Sequence, residues 1–195
     1  MKPLKVLGMW RDEVRLEYSG DECTGCAICV QCCPKEALGL NPPGASIKGL
    51  IDADPIELDI EKCVLCGVCA ALCPRDALKI LINGVERLLI VENKGLPGEI
   101  RFEGRVEIDQ EKCPKGCNTC QDICKEEAIS VKDKVEVDED TCIYCGACSI
   151  ACPSGAIAVF REKLIYEELD TCEEIDTKIM RRVRDILLGK VQTEK

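Results

Sequence analysis

The chain has 195 residues, a formal net charge of −10, 18 cysteines and no histidine. The negative charge argues against binding to nucleic acid, which needs a basic patch, and favours docking to basic surfaces of partner proteins. The absence of histidine excludes the commonest general base and all histidine-ligated metals. No apolar run is typical of a signal peptide or a membrane span. We therefore expect a cytoplasmic protein in which reduced cysteines bind metal.

The N-terminal segment, residues 1–19, is predicted to form two short strands around a polar turn. Val14, Leu16 and Tyr18 alternate with charged residues, which is the period of a half-buried strand. We expect this hairpin to be a sheet edge that packs on the domain that follows. The alternative is a hairpin that docks a partner.

A cysteine-rich segment, CTGCAICVQCCP, follows at residues 23–34. Its first three cysteines recur at every third position, and the fourth is either Cys32 or Cys33. Pro34 favours Cys33, because a proline after the last cysteine ends the short helical turn and redirects the chain. Cys32 is then expected to be a small buried residue rather than a ligand.

The connection at residues 38–56 contains proline and glycine and predicts a surface loop, long enough to act as a docking element. A strand at residues 57–60 leads into the second cysteine segment, CVLCGVCAALCP, at residues 63–74. Residues 78–91 then hold two apolar runs around Asn83-Gly84, the strongest short hairpin signal.

A linker is predicted at residues 92–104, and a second lead-in strand at residues 105–109. The third cysteine segment, CPKGCNTCQDIC at residues 113–124, has one extra residue between its first two cysteines, and Lys125 replaces the proline. Its C-x3-C-x2-C spacing is also that of radical-SAM enzymes. We disfavour that interpretation, because Cys124 offers a fourth ligand and the segment lies inside a repeat.

The fourth cysteine segment, CIYCGACSIACP at residues 142–153, is regular. Each of the four segments is followed by a predicted helical turn and a short strand. The unit of strand, cysteine loop, helix and strand is therefore repeated four times.

The tail, residues 161–195, predicts an amphipathic helix. Its apolar residues at helical spacing are Ile175, Ile179, Val183, Ile186 and Leu187. This helix either covers its own domain or anchors the chain to a larger complex. Cys172, just before it, is expected to be a free thiol.

The cysteine spacing resembles that of bacterial-type ferredoxins, in which such a run holds a [4Fe-4S] cluster and its fourth cysteine ligates the neighbouring cluster. Residues 22–159 as a whole resemble such ferredoxins fused in tandem, the polyferredoxins. Two segments, KCVLCGVCAALCPRDAL and EKCPKGCNTCQDIC, look like the polyferredoxin subunit of archaeal formylmethanofuran dehydrogenase.

Four ligand sets follow if neighbouring segments exchange their fourth cysteines, because a short loop reaches only three corners of a cubane. Set one is Cys23, Cys26, Cys29 and Cys73; set two is Cys63, Cys66, Cys69 and Cys33; set three is Cys113, Cys117, Cys120 and Cys152; set four is Cys142, Cys145, Cys148 and Cys124. A nested pairing, first segment with fourth and second with third, stays open. Structural zinc is disfavoured, because zinc ribbons use two CxxC pairs.

Six further residues are expected to line the clusters. Gly67 and Gly146 would let backbone amides approach the cluster sulfurs. The apolar residues Val64, Val68, Ile143 and Ile150 would shield the clusters from water.

The expected fold is α+β, with two tandem ferredoxin-like domains of short antiparallel strands and small helices. The first two-cluster domain spans residues 1–91 and the second spans residues 105–160, with the linker between them and the C-terminal amphipathic helix behind.

The resemblance implies an electron-transfer subunit that relays single electrons through four [4Fe-4S] clusters to or from a catalytic subunit. No catalytic residue is predicted. The expected partner is a tungsten or molybdenum pterin subunit that reduces carbon dioxide, and the expected donor is a soluble ferredoxin or similar protein. The alternatives are a subunit of another molybdopterin oxidoreductase, hydrogenase or heterodisulfide reductase complex, or a free multi-cluster ferredoxin.

Overall fold

The computed structural model describes residues 1–8, 11–92, 100–166 and 175–189, which form a mixed α+β fold of short elements. The strands are β1 (Lys2–Gly8), β2 (Glu13–Tyr18), β3 (Leu38–Leu40), β4 (Ile56–Leu58), β5 (Leu78–Ile82), β6 (Val85–Glu86), β7 (Ile100–Ile108), β8 (Ile129–Val131), β9 (Val135–Val137) and β10 (Ile157–Tyr166). The helices are α1 (Ile28–Cys32), α2 (Pro43–Ile47), α3 (Val68–Ala71), α4 (Leu89–Glu92), α5 (Thr119–Ile123), α6 (Ala147–Ala151) and α7 (Ile175–Leu187).

All strand pairs within the described residues are antiparallel. One sheet has four strands in the order β1-β2-β5-β6, and three pairs form separate two-stranded sheets: β3 with β4, β8 with β9, and β7 with β10. The predicted mixed class, with short antiparallel strands and small helices, is confirmed. No helix in the described ranges has the length and apolar character needed to cross a membrane.

The N-terminal hairpin is an edge of the four-stranded sheet, because β2 pairs with β1 on one side and with β5 on the other. Leu16 and Tyr18 of β2 are each only 1% exposed. The predicted turn between β5 and β6 forms at Asn83-Gly84, where both residues have positive φ (54° and 80°), as a two-residue hairpin loop requires.

Four one-turn helices, α1, α3, α5 and α6, each begin one residue before the third cysteine of a segment. Helices of four or five residues are not stable alone, so tertiary packing and the cysteine loops must hold them. The predicted repeat of cysteine loop, helix and strand recurs in all four segments.

The connection at residues 38–56 is more ordered than a surface loop. It contains β3 and α2, and β4 begins at its last residue. Helix α2 contacts α5 and α6 of the second half of the chain, residues 100–189. The Lys48 Nζ donates to Thr119 Oγ1 at 2.9 Å and lies 3.3 Å from an Asp122 carboxylate oxygen. Ile47 packs against the apolar cluster of the second half. This segment therefore docks one half of the chain onto the other.

Parts of the predicted linker and of the predicted tail are β-strands instead. Residues 100–104 belong to β7 and residues 161–166 belong to β10, and the two strands pair along their lengths. The remaining linker residues, 93–99, lie outside the described part of the chain. Gly104 suggested a linker, but its role is close approach: an added Cβ would overlap the Phe160 carbonyl oxygen.

An apolar cluster joins the two halves of the chain. Ile28, Cys32, Val68 and Leu72 of the first half pack with Leu164 of β10 and with Val183 and Leu187 of α7. The last two are 5% and 3% exposed, so α7 covers the chain itself. The full amphipathic face remains a prediction, because the side chains of Ile175 and Ile179, and all of Cys172, lie outside the described part.

We expect Gly104→Ala to lower the free energy of unfolding by about 1–3 kcal/mol, because it forces an overpacked strand contact. Thermal unfolding of the iron-loaded chain measures this as a lower melting temperature. Gly8→Ala is the matched control, since nothing lies within 4 Å of its Cβ position. Equal stability of the two variants would contradict the close approach.

Candidate metal centres

Sets one and two each surround a cavity in the first half of the chain. The cavity of set one is lined by Cys23, Cys26 and Cys29 from the first segment and by Cys73 from the second. The cavity of set two is lined by Cys63, Cys66 and Cys69 from the second segment and by Cys33 from the first. The two segments thus place their fourth cysteines in each other's cavities.

The second half contains a corresponding cavity for set four, lined by Cys142, Cys145 and Cys148 together with Cys124 of the third segment. The members of set three are also neighbours. Burial raises the pKa of Cys120, and the charges of Cys113 and Cys117 add to the shift. Cys152 packs in the same apolar cluster as Cys113 and Cys120.

The donor sets fit cubanes better than single ions. A [4Fe-4S] cluster binds one thiolate at each iron, so its ligands surround a volume. In the ranges that the structure describes, no three Cys, Asp or Glu side chains are grouped as ligands of one ion, as tetrahedral zinc would require.

Backbone amides support the fourth cysteine of three segments. In each case the N–H four residues downstream donates to the sulfur, with distances of 3.3 Å for Ala37 to Cys33, 3.3 Å for Ala77 to Cys73 and 3.2 Å for Ala156 to Cys152. Hydrogen bonds to ligating sulfurs stabilise the thiolate and help to set the cluster potential. The same local turn therefore serves three ligands from different sets.

The loops share a left-handed residue directly before the second cysteine. These residues are Gly25, Leu65, Gly116 and Tyr144, with φ between 51° and 77°. The extra residue of the third segment is absorbed before Gly116. Directly after the second cysteine, Gly67 and Gly146 have φ of 80° and 85° and line the cavities of sets two and four.

The four apolar residues expected to shield the clusters behave differently. Ile143 lines the cavity of set four and is half-buried. Val64 lines the cavity of set two but is 57% exposed, so it leaves that edge open to solvent. Val68 is buried in the cluster that joins the halves. Ile150, 39% exposed, lines an open cleft outside the cluster cavities. Shielding by Ile150 is therefore not supported, and shielding by the other three residues stays a prediction.

Cys32 and Cys33 have different surroundings. Cys33 lines the cavity of set two, whereas Cys32 is 7% exposed and packs in the apolar cluster with Ile28 and Val68. The burial of Cys32 agrees with the expectation for a small buried residue, and the choice of Cys33 as the ligand stays a prediction.

Sequence reasoning missed Thr24 and Arg75, which line the cavities of both set one and set four. The Thr24 Oγ1 and Arg75 Nε are buried without a hydrogen-bond partner among the described residues. Buried donors normally have acceptors, and cluster sulfurs would supply them. Thr24 lies between the first two cysteines of the first segment and Arg75 follows Pro74, but the cysteine pattern itself assigns no role to either position.

Burial raises the pKa of Cys26, Cys69 and Cys148 to about 12. Thiols with such values are protonated at neutral pH unless bound iron supplies compensating positive charge. Cluster assembly should therefore release protons, and the ligand loops should depend on iron for their stability.

The arrangement of thiols and loops defines an iron–sulfur protein with [4Fe-4S] clusters. Residues 22–77 match the 4Fe-4S dicluster domain family, and residues 135–158 match the 4Fe-4S binding domain family. The chain belongs to the ferredoxins and is polyferredoxin-like.

Three uncharacterized ferredoxins from Methanocaldococcus jannaschii are similar to parts of the chain. One is 41% identical over 58 residues, 29% of this chain and 37% of that protein. The second is 51% identical over 39 residues, 20% and 24% respectively. The third is 43% identical over 58 residues, 28% of this chain and 92% of that protein. The chain thus spans well under half the length of the first two relatives.

A solved structure is similar over nearly the whole chain. It is a chain of the formate dehydrogenase–heterodisulfide reductase–formylmethanofuran dehydrogenase complex from Methanospirillum hungatei. The TM-score is 0.77 at 25% sequence identity, covering 92% of this chain and 87% of that one. The similarity therefore includes both halves and not only the dicluster segment.

We expect Cys33→Ala to remove about four irons per chain, since a cubane contains four. Cys32→Ala is the matched control, because it deletes the adjacent thiol but leaves every set complete. Iron and acid-labile sulfide analysis of anaerobically purified protein measures the difference. Loss of iron in the Cys32 variant with full loading of the Cys33 variant would reverse the assignment.

Paired substitutions distinguish tandem from nested exchange of the fourth cysteine. With tandem pairing, Cys23→Ser combined with Cys73→Ser should lose only about four irons, because both ligate one cubane. Cys73→Ser combined with Cys113→Ser should lose about eight. Nested pairing requires the opposite result, so iron analysis of the two double variants separates the arrangements.

Proposed function

We propose that the chain is an electron-transfer subunit that relays single electrons through four [4Fe-4S] clusters, to or from a catalytic subunit. The cysteines of sets one to four are the proposed ligands. The observation that carries the proposal is the exchange of Cys33 and Cys73 between the cavities of sets one and two. When bound, each cluster supplies one-electron chemistry without making or breaking a substrate bond.

The protein's own residues hold and tune these centres. The cysteines fix the position of each cluster, and the amides of Ala37, Ala77 and Ala156 donate to ligand sulfurs. Apolar side chains such as Ile28 and Leu78 line the cavity of set one and exclude water, which also affects potential. All of these roles concern the clusters, so we propose no catalytic residue and no substrate site.

The proposed partner is a catalytic oxidoreductase subunit, and the best candidate is a tungsten or molybdenum pterin subunit of formylmethanofuran dehydrogenase. The similarity to a chain of the M. hungatei complex supports this choice. The proposed donor is a soluble ferredoxin or similar one-electron carrier. The net charge of −10 favours basic docking surfaces on these partners.

A second candidate is a free multi-cluster ferredoxin. One M. jannaschii ferredoxin favours this candidate, because the 58 residues that match this chain make up 92% of that protein. That relative is a short protein, so related cysteine segments also occur outside large subunits.

Anaerobic purification of the native protein distinguishes the two candidates. Mass spectrometry of co-purifying proteins and metal analysis should find about sixteen irons per chain, four per cubane, together with a subunit that contains tungsten or molybdenum. Recovery of the iron-loaded chain alone would favour the free ferredoxin. A chain that contains zinc and no iron would contradict both.

The isolated, iron-loaded chain should take up about four electrons in reductive titration, one for each cluster. It should not reduce carbon dioxide or oxidise formate with an artificial electron donor or acceptor. Matched assays use the same preparation with the clusters removed by a chelator. Turnover by the isolated loaded chain would contradict the role of an electron-transfer subunit.

A further inference from the structure

The two halves of the chain bring set one and set four together. Their cavities share Thr24 and Arg75 as lining residues. Cys26 of set one also packs against the apolar cluster of the second half, and the charge of Cys145 from set four contributes to the raised pKa of Cys26. Cys26 also lines one open cleft with Arg161 and with Gly146, the residue after Cys145, so Cys26 and Cys145 mark the junction of the two halves.

Arg161 of β10 is fixed at this junction by three carbonyl groups. Its Nε donates to the Tyr144 carbonyl at 2.9 Å, its Nη2 donates to the Cys145 carbonyl, and its Nη1 donates to the Leu187 carbonyl at 3.4 Å. The guanidinium also lies over the Phe102 ring, 4.9 Å from the ring centroid. Arg161 thus connects the loop of the fourth segment to β7 and to the end of α7.

The charge of Arg161 has no carboxylate partner within the ranges that the structure describes. Burial lowers the pKa of Arg161, and the charges of Cys26, Cys145 and Cys32 oppose that shift. Arg161 is partly buried, and a cation withdrawn from water without a counter-ion is unfavourable. Thiolates of sets one and four, and the net negative clusters that they hold, provide the opposing charge.

A fixed cation stabilises the reduced form of a nearby cluster more than the oxidised form, because reduction adds one negative charge. Arg161 is placed to act on two centres at once. Arg75, in the wall shared by the two cavities, adds a second cation, but Glu22 and Glu126 already pair with it.

We propose that electrons cross between the halves at the Cys26–Cys145 junction and that Arg161, assisted by Arg75, raises the reduction potentials of the centres of sets one and four. This inference rests on the proposed function. In each crossing one electron leaves the centre of one set, which is oxidised, and reduces the other, with no bond or proton transferred. Low-potential carriers of the ferredoxin class supply the electron.

The junction also defines the order of the relay. Set two is next to set one, because Cys29 and Cys69 pack in the same apolar cluster. Set three is next to set four, because Cys120 and Cys148 share one apolar cluster. The order is therefore two, one, four, three, with partners at the two ends. The exposed Cys66 and Val64 place one end of the relay at the surface.

The test is a redox titration of the iron-loaded chain monitored by electron paramagnetic resonance. Arg161→Gln should lower two of the four potentials, each by about 59 mV, which is a tenfold change for one electron. A unit charge about 10 Å away in a partly buried site has an effect of this order. Arg161→Lys should restore most of the shift, because it restores the charge.

The matched control is Arg105→Gln on the neighbouring strand of the same sheet. Arg105 is exposed, pairs with Glu107 and Glu162, and lies over the Phe160 ring at 4.4 Å. Its substitution removes an equal charge away from the cysteines and should leave all four potentials unchanged. An equal shift in this variant would show a general charge effect and overturn the proposal.

Assignment of the two shifted centres uses Cys66→Ser and Cys117→Ser, which alter the signals of sets two and three. The potentials lowered by Arg161→Gln must belong to the two signals that these serine variants leave intact. A lowered potential in the centre of set two or set three, or no lowered potential at all, would overturn the inference even if about sixteen irons are bound. A chain without clusters would instead contradict the proposed function. If the Arg161→Gln variant does not bind clusters, the Arg75→Gln variant replaces it in the test. Arg75→Gln must then lower the potentials of sets one and four by a smaller amount. Unchanged potentials in that variant would also overturn the proposal.

Discussion

The limited reach of a short cysteine loop is the constraint on which the rest of the structure depends. Three cysteines spaced three residues apart can contact three corners of a cubane, but the loop ends before the fourth. In the first half the structure places Cys73 with the thiols of the first segment and Cys33 with those of the second. Each cavity therefore requires two segments, so neither segment can form its centre alone.

This exchange also explains how a chain with few large side chains forms an interior. Only 3% of the residues are aromatic, and the cysteine helices have just four or five residues. Cysteines belong to all three apolar clusters. Cluster binding and folding should be coupled, because the deprotonated thiols need iron to offset their burial.

Packing between the halves gives the chain its second level of organisation. Helix α2 and Lys48 attach the first half to α5 of the second, while Leu164 and α7 extend the apolar core of the first half. These contacts pack the two halves against each other, unlike two separate domains joined by a flexible linker. They also place the cavities of sets one and four side by side, with Thr24 and Arg75 in the shared wall.

The class of centre, the four segments and the mixed fold could be predicted from the sequence, because cysteine spacing and turn residues act over a few positions. Pro34 also favoured Cys33 over Cys32 as the fourth ligand, and that choice stays a prediction. The sequence did not reveal Arg161, Thr24 or Arg75, since their roles come from contacts between segments far apart in the chain.

The sequence likewise predicts a linker that includes residues 100–104 and a tail that includes residues 161–166, although these residues pair as β7 and β10. Their strand pattern is local, but the need for Gly104 arises only where Phe160 of the partner strand approaches. The spacing of cysteines is thus set by the geometry of a cluster, which a short sequence can encode. The position of one set relative to another depends on side-chain packing between the two halves, which no local sequence pattern encodes.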